Sequence, residues 1–452
     1  MDETKLREQV ELIREAFLYA NRFQGRTFVF QIEAGVVTGP GFSSLVRDIV
    51  LLRQLGIHIV IVAGAATRID EVLTRYGVDW RMQGEVRVVS PEATPFIKMA
   101  AFDTANRVMT LLAGQRANAV IGNWVRARAV GVRDGVDYGD AGIVERINTD
   151  MVRQVLDQGT VPIFPCIGWN ASGQPYNISS RELAVVISGA LVSSKLFFLT
   201  DGRPPVGQEA GYTLPTGVDA VEGSRISRMT VGEAREFVQV NEATRPDDPG
   251  VTLVRHACEA AGLGVERTHI IDGTVEGVIL KEIFSNMGVG TMVHANVYQS
   301  LRRMERDDVP DVLRLMKPLI AAGYLVPRHE EDVVAALDDF VVYEVDGSIH
   351  GCGALHPFGE HMAEIAALAV DESYKHLGIG RRIVAYLLER AREQGLRRVF
   401  ALTTRTSDWF LQFGFRRGST GDIPESRREH YDRARNSRIY LYELGGGNGH
   451  GG

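Results

Sequence analysis

Cysteine is scarce in this chain. The three that occur, Cys166, Cys258 and Cys352, lie far apart and in no CxxC or Cys/His spacing, which argues against a disulfide framework and a zinc site. No uninterrupted run of about 18 apolar residues is present to span a bilayer. The opening MDETKLREQ also lacks the charged-then-apolar layout of a secretory signal. Positive charge is not in excess either, since the net charge is −7, giving no general attraction to nucleic acid or anionic membrane. These absences predict a soluble cytoplasmic protein with no metal, nucleic-acid or membrane partner, in which any anion site is local.

What is present is enough chain for more than one domain: 452 residues, 45% hydrophobic and 24% charged. A first helix carries Leu6, Val10, Ile13 and Phe17 on one face. After it, the β-branched runs TFVFQI, IHIVIVAG, NAVIG, VPIFPCIG and KLFFLTDG alternate with helical patterns over 43–55, 94–113, 149–158 and 181–194. That alternation predicts an α/β fold with a mostly parallel sheet sandwiched by helices over residues 1–296. A polar stretch around HANVYQSLRRMERDDVPDV then restarts the pattern. The second, smaller unit, 297–445, reads as a helix over 308–322, a hairpin turning at Asp346-Gly347, the strand AEIAALAV, a glycine turn, a helix to about 394 and the strand RRVFALTT. Residues 446–452 form a Gly-rich tail expected to be disordered. No solenoid-type repeat occurs.

The order strand, glycine turn, helix draws attention to YKHLGIGRRIV, residues 374–384. Helix-start N–H groups and the helix dipole make an anion site, and glycine lets the anion come close. A plain helix start is the competing reading. In this setting the turn resembles that of the GNAT acetyltransferases, R/Q-x-x-G-x-G/A, with Lys375 standing where Arg or Gln is usual. The resemblance implies acetyl-CoA as cosubstrate, with Leu368, Ala369 and Val370 on the strand beside it and Lys375, His376, Gly378, Ile379, Gly380 and Arg381 around its pyrophosphate. Further stretches, LVPR at 325–328, EIAALAV at 364–370, FALTTRTSDWFLQFGF at 400–415 and IPESRREHYDRARNSRIY at 423–440, resemble the N-acetylglutamate synthase family. In that family an amino-acid kinase-like domain precedes a GNAT domain, so the resemblance covers nearly the whole chain.

Acetylating an amino acid requires a neutral amine, so a base must take a proton from it. Glu364 opens an otherwise apolar strand, where burial would raise its pKa and suit it to that task, and it matches the family's base. A structural carboxylate at a strand start is the alternative. Thr403 matches the place where the family presents a hydroxyl to the leaving thiolate, against a purely structural Thr in a strand. A backbone N–H near Ala367 would polarise the thioester carbonyl. A dicarboxylate such as L-glutamate calls for the planar fork of Arg, and Arg328, Arg435 and Ser437 match the family's glutamate-binding positions. Arg433 or Arg438 could serve instead of Arg435.

The first unit departs from a working kinase at each phosphate-handling place. Gln31 stands for the Lys, Glu33-Ala34 for two glycines, Ala65 and Ala66 for glycines, and Arg181 for the Asp. Phosphoryl transfer depends on positioning and charge neutralisation, so a regulatory domain is expected. The segment THIIDGTVEGVILKEIFSNMGVGT resembles the arginine-binding segment of arginine-sensitive relatives, with His269, Glu282, Gly288, Gly290 and, on the N-terminal helix, Tyr19 at matching places. The alternatives there are a core histidine and a plain helix end. The resemblance thus implies an acetyl-CoA:L-glutamate N-acetyltransferase regulated by L-arginine, its N-terminal helix fitting a homo-oligomer, as large as a hexamer. The competing functions are a bifunctional synthase and kinase, and a non-catalytic arginine sensor.

Overall fold

The structure is a computed structural model that describes residues 17, 19, 21–202, 211–215, 218, 225–284, 288–295, 299–345, 348–372, 378–404, 407–432, 435 and 437–444. The chain divides into two compact units, Met1–Asn296 and Val297–Gly452.

In the first unit the described residues form an eight-stranded sheet built from β1 (Thr27–Ile32), β2 (His58–Ala63), β3 (Ala119–Ile121), β4 (Val161–Pro165), β5 (Lys195–Thr200), β6 (Arg228–Thr230), β7 (Arg267–Asp272) and β8 (Thr291–His294). Their order across the sheet is β6-β8-β7-β5-β1-β2-β4-β3. All neighbours run parallel except β7 and β8. The side-chain period of two explains why both faces are covered. Phe28, Phe30, Ile59, Ile61 and Phe197 enter one core, while Val29, Val60, Val62, Leu196 and Phe198 enter another on the opposite face. The helices used below are α1 (Phe42–Gln54), α2 (Ala66–Arg75), α3 (Thr94–Gly114), α4 (Thr149–Asp157), α5 (Ser180–Ala190), α6 (Pro249–Gly262) and α7 (Val278–Phe284).

Three local readings are corrected. VPIFPCIG is not one strand: Pro165 ends β4, and residues 167–169 join a separate four-stranded sheet with 125–129, 142–147 and 175–177. Proline brings no N–H to a ladder, so the chain can leave one sheet there and enter another. The helix expected to reach residue 194 stops at Ala190, because Val192 takes a left-handed φ of 53° and its N–H bonds back to the Gly189 carbonyl. The polar stretch read as a boundary contains a strand, Gln299–Arg303. Of the expected first helix, Leu6, Val10 and Ile13 lie outside the described residues and Phe17 is 63% exposed. Asp346-Gly347 and the tail also lie outside them.

The second unit is a seven-stranded sheet of β9 (Gln299–Arg303), β10 (Phe340–Val345), β11 (Ser348–Phe358), β12 (Met362–Val370), β13 (Arg398–Thr403), β14 (Arg416–Arg417) and β15 (Arg438–Glu443). Its order is β9-β10-β11-β12-β13-β15-β14. Helix α8 (Val309–Ala321) packs with Phe340, Val342 and Cys352 on one face. Helix α9 (Ile379–Glu393) packs with Val341, Tyr343 and Leu355 on the other. A four-residue helix, α10 (Glu425–Arg428), follows later.

Candidate active site and regulatory cluster

In the second unit the sheet opens into a fork. Strands β12 and β13 pair in parallel from Met362↔Arg398 to Ile365↔Ala401 and no further. Beyond that point β12 stays with β11 and β13 stays with β15. The cause lies in β12 itself: its register with β11 shifts between Cys352 and Ala354, and Ala367 takes a left-handed φ of 53°. Such a bulge bends the strand. Among the described residues one edge of 366–370 is therefore without a strand partner, the kind of edge that accepts an extended, amide-bearing ligand. Leu368, Ala369 and Val370 lie on that arm and Thr403 ends the other, opposite Arg438. Cys352, beneath the bulge, has its thiol 3.5 Å from the Ala367 carbonyl. Burial pushes that thiol up to about 12, so it is not a nucleophile near neutral pH.

Helix α9 starts immediately after Gly378, whose φ is 67°, and no side chain among the described residues caps it. Its first N–H groups are thus left for an anion. A Cβ at Gly378 would meet nothing within 4 Å, so it is the left-handed backbone, not crowding by protein, that calls for glycine. A Cβ at Gly380 would touch Trp409 at 3.4 Å. Ile379 is fully buried, while Arg381 is exposed and lies over the Phe413 ring at 5.3 Å. Lys375 and His376 lie outside the described residues.

Glu364 is buried, but its setting differs from the apolar one expected. Arg427 of α10 grips it with two hydrogen bonds, Nε to Oε2 at 2.6 Å and Nη2 to Oε1 at 3.2 Å. The paired guanidinium offsets the cost of burying this charge. Arg328, half-buried, lies over the Phe340 ring at 5.7 Å. Burial pulls its guanidinium below the ordinary range, while the charges of Glu364 and Asp332 oppose that. Arg435 donates to the carbonyls of Gly323 and Tyr324 at 3.1 Å each, just ahead of LVPR in the chain. The carbonyl of Ser437 accepts from the Tyr431 hydroxyl at 2.6 Å. Sequence reasoning missed Arg427. It stands inside the quoted stretch IPESRREH, but no spacing marks which of its two arginines, Arg427 or Arg428, faces Glu364.

The first unit holds a second cluster. His269 is buried against Phe197, their rings stacked at 4.7 Å, and its Nδ1 lies 2.8 Å from Glu282 Oε1. The other oxygen of Glu282 accepts from the N–H groups of Val289 at 2.7 Å and Gly290 at 2.8 Å. Gly288 has φ 61°, and a Cβ there would come within 2.8 Å of Glu282; one at Gly290 would strike Ile271 and the Ile270 carbonyl. Burial lowers His269, outweighing the opposing effect of its Glu282 bond. For Glu282 burial acts upward, but His269 and the two N–H groups together hold its carboxyl below the usual range. The pair is thus a neutral imidazole donating to a carboxylate. Both oxygens of Glu282 are thus engaged, and it fixes the glycine turn. Tyr19 lies against Phe23 with ring centroids 4.5 Å apart and the rings tilted by 38°, and Lys195, which sequence reasoning missed, places its ammonium over the Tyr19 and Phe23 rings at 5.1 and 4.9 Å. Lys195 also acts electrostatically on His269.

Where a kinase would hold phosphates, Gln31 Nε2 donates to Ser180 Oγ at 3.2 Å and Glu33 is ion-paired with Arg181. Among the described residues no helix is long and apolar enough to cross a membrane, and no group of His, Cys, Asp and Glu is placed to hold a metal ion.

Residues 32–203 match the amino acid kinase family and residues 309–415 the acetyltransferase (GNAT) family. An amino-acid acetyltransferase from Salmonella typhimurium is 32% identical over 449 residues, covering 97% of this chain and 98% of the relative. The chain belongs to the amino-acid acetyltransferase family. Another member, from Escherichia coli, is 31% identical over the same share of both chains. Among solved structures, N-acetylglutamate synthase from Neisseria gonorrhoeae complexed with coenzyme A and L-arginine is 30% identical. It covers 96% of this chain and 99% of its own, with a TM-score of 0.81. The same synthase complexed with coenzyme A and N-acetyl-glutamate matches with a TM-score of 0.58. Family membership accounts for both units at once, the kinase-like sheet and the forked one.

Proposed function

We propose that this protein transfers the acetyl group of acetyl-CoA to the α-amino group of L-glutamate, releasing coenzyme A and N-acetyl-L-glutamate, and that L-arginine bound in the first unit inhibits it. The observation that carries the reading is the fork: an unpaired arm of β12, a buried carboxylate at its root and an uncapped helix start at its tip. Acetyl-CoA lies along residues 368–370 with its pyrophosphate on the first turn of α9. Glu364 takes the amine proton as nitrogen attacks the thioester carbon, and the Ala367 N–H, turned by the bulge, supports the developing oxyanion. The C–S bond then breaks, and the Thr403 hydroxyl donates a hydrogen bond to the leaving thiolate, which takes its proton from solvent. Arg328, Arg435 and Ser437 receive the glutamate carboxylates, and a carboxylate entering here competes with Glu364 for Arg427. The arginine-binding residues are Tyr19, His269, Glu282, Gly288 and Gly290, with Glu282 acting through the turn it holds.

The three cysteines are unpaired thiols, which supports a reducing cytoplasm as the place of action, and family membership supports a homo-oligomer. The test is coenzyme A thiol release over a panel of amino acids, each with and without arginine. L-Glutamate should exceed L-glutamine roughly ten- to a hundred-fold, because the amide leaves a guanidinium without its partner. Equal rates for the two would overturn the dicarboxylate assignment.

A further inference from the structure

An amino acid is mostly an ammonium near neutral pH, so its nitrogen sheds two protons on the way to an amide, one before it can attack and one once the new C–N bond has formed. Glu364 can carry only one of them at a time. A second acceptor beside it would keep the carboxylate ready, and the forked sheet holds a group with the chemistry for that place.

His356 lies in β11 directly opposite Glu364. Residues paired in this way point to the same face of an antiparallel sheet, with Cβ atoms roughly 4.5–5.5 Å apart. Strand β11 runs between β10 and β12. The imidazole thus has Glu364 on one flank and, on the other, Asp339, which closes the single helical turn Leu337–Asp339 leading into β10. His356 Nδ1 lies 2.7 Å from Asp339 Oδ2. An ionised carboxylate only accepts, so Nδ1 carries the hydrogen and Nε2 of the neutral ring carries the lone pair. That Nε2 is buried and has no hydrogen-bond partner among the described residues. A buried acceptor without a partner is uncommon, and a catalytic use is one of the few reasons for a protein to keep one.

The pair is also firmly placed. Arg390 of α9 donates to the Asp339 carbonyl at 3.3 Å and to that of Asp338, and the imidazole meets the Phe340 ring edge-on with centroids 5.9 Å apart. The other charged groups on this side are Arg427, which holds Glu364, and Arg328 over Phe340, which feels the charges of Glu364 and Asp332.

We propose that His356, oriented by Asp339, relays the proton that Glu364 takes from the substrate nitrogen, an inference that rests on the reading of Glu364 as the base. The entering carboxylate draws Arg427 off Glu364, which takes the first proton from the ammonium and passes it to His356 Nε2. The imidazolium keeps its Nδ1–H on Asp339, whose charge stabilises it. Glu364, a carboxylate again, takes the second proton once nitrogen has bonded to the thioester carbon. Both protons leave to solvent and the coenzyme A thiolate recovers one from there, so one proton is released for each acetyl group transferred. His356 touches neither substrate nor cofactor; it is a positioning residue that acts through Glu364.

The test is kcat, KM and the pH profile of three variants, assayed with whichever amino acid the wild type acetylates best. In His356→Asn the amide N–H stands near the place of Nδ1 and can still donate to Asp339, so the turn is kept and the relay is lost. Near neutral pH kcat should fall roughly ten- to a hundred-fold, toward the low end for a proton-transferring side chain because water can stand in for a relay. KM for the amino acid and calorimetric coenzyme A affinity should stay as in wild type. The loss should shrink at high pH, where the substrate arrives as a free amine with one proton fewer to shed. On acidification wild-type kcat should fall as His356 takes up a proton and closes the relay, and that part of the profile should be missing from His356→Asn. Asp339→Asn keeps an acceptor for Nδ1 but not the charge, and should show a smaller loss of the same shape. A His356→Asn rate equal to wild type, or a loss of the same size at every pH, overturns the relay. Glu364→Gln separates the two readings: if it keeps its activity, base and relay fall together, whereas if it loses activity and His356→Asn does not, the relay alone falls.

Discussion

Each unit buries a glutamate, Glu364 in strand β12 and Glu282 in helix α7, and the two are held in opposite ways. Glu364 is gripped by Arg427, a single long side chain from a helix of four residues. Glu282 is gripped by a buried imidazole and by two backbone N–H groups of the turn it organises. Releasing Glu364 requires one guanidinium to swing aside. Releasing Glu282 requires the turn at 288–290 to unmake itself. A carboxylate that must exchange protons needs the first arrangement; a carboxylate that fixes a ligand-sized turn needs the second.

The contrast can be broken most sharply at Glu364. Glu364→Gln should lower turnover about 10²–10⁴-fold near neutral pH, with partial recovery at high pH where the amine is already neutral. Coenzyme A binding should persist. A normal rate and an unchanged pH profile would reduce Glu364 to a structural carboxylate. At the other glutamate, Glu282→Gln should spare glutamate acetylation and remove the arginine response, which as a coupling between sites is roughly 5–150-fold. Arginine titrated calorimetrically into wild type and variant checks this, and an undiminished response would show that the turn does not need its carboxylate.

The glycine turns sharpen the comparison further. Because the space around Gly378 is open, Gly378→Ala tests the backbone alone, and a left-handed φ costs an L-residue about 1–2 kcal/mol. Acetyl-CoA affinity should fall roughly 5–30-fold, and further for Gly378→Val if the ligand comes as close as the turn permits. Unchanged affinity in both would leave the turn a mere helix start. The smallest effect concerns pH. Folded His269 is held below its ordinary value of about 6.5, so as pH falls the unfolded chain takes up a proton that the folded one refuses, and stability drops. Glu282, also held low, adds to the loss only at more acid pH, as pH falls through its folded value. The slope is at most about 1.4 kcal/mol per pH unit for one such group. Denaturant midpoints measured between pH 8 and 5.5 should fall for the wild type and less for His269→Gln; parallel curves would show that His269 titrates normally.

Much of this architecture is legible in sequence, because period-two runs such as TFVFQI carry their burial with them. The glycine turn before α9 is readable because strand, turn and helix follow one another in one segment, and the group His269, Glu282, Gly288 and Gly290 is readable only through the resemblance of its segment to that of arginine-sensitive relatives. What escaped depends on partners distant in the chain. Glu33 and Arg181, Glu364 and Arg427, and Lys195 over Tyr19 are pairs that no local pattern announces. The second sheet of the first unit escaped because strands of three residues, such as 167–169 and 175–177, are too short to show a period. Gln299–Arg303 escaped because it is polar and lies at the sheet edge, next to β10 alone.

The central ladder of the first sheet also sets a timetable. β1 pairs on one side with β5, Phe28 opposite Lys195 and Gln31 opposite Phe198, so that side of the strand stays open during synthesis until β5 has left the ribosome. Closing so long a loop is slow because its entropy is lost before the contacts form. Strands β10, β11 and β12 instead meet their neighbours almost as soon as they are made. The unit with the forked sheet can therefore gather its core from local pairs, whereas the larger unit passes through a period in which TFVFQI and HIVIVA lie exposed, and it is there that a chaperone or an aggregating neighbour would find this chain.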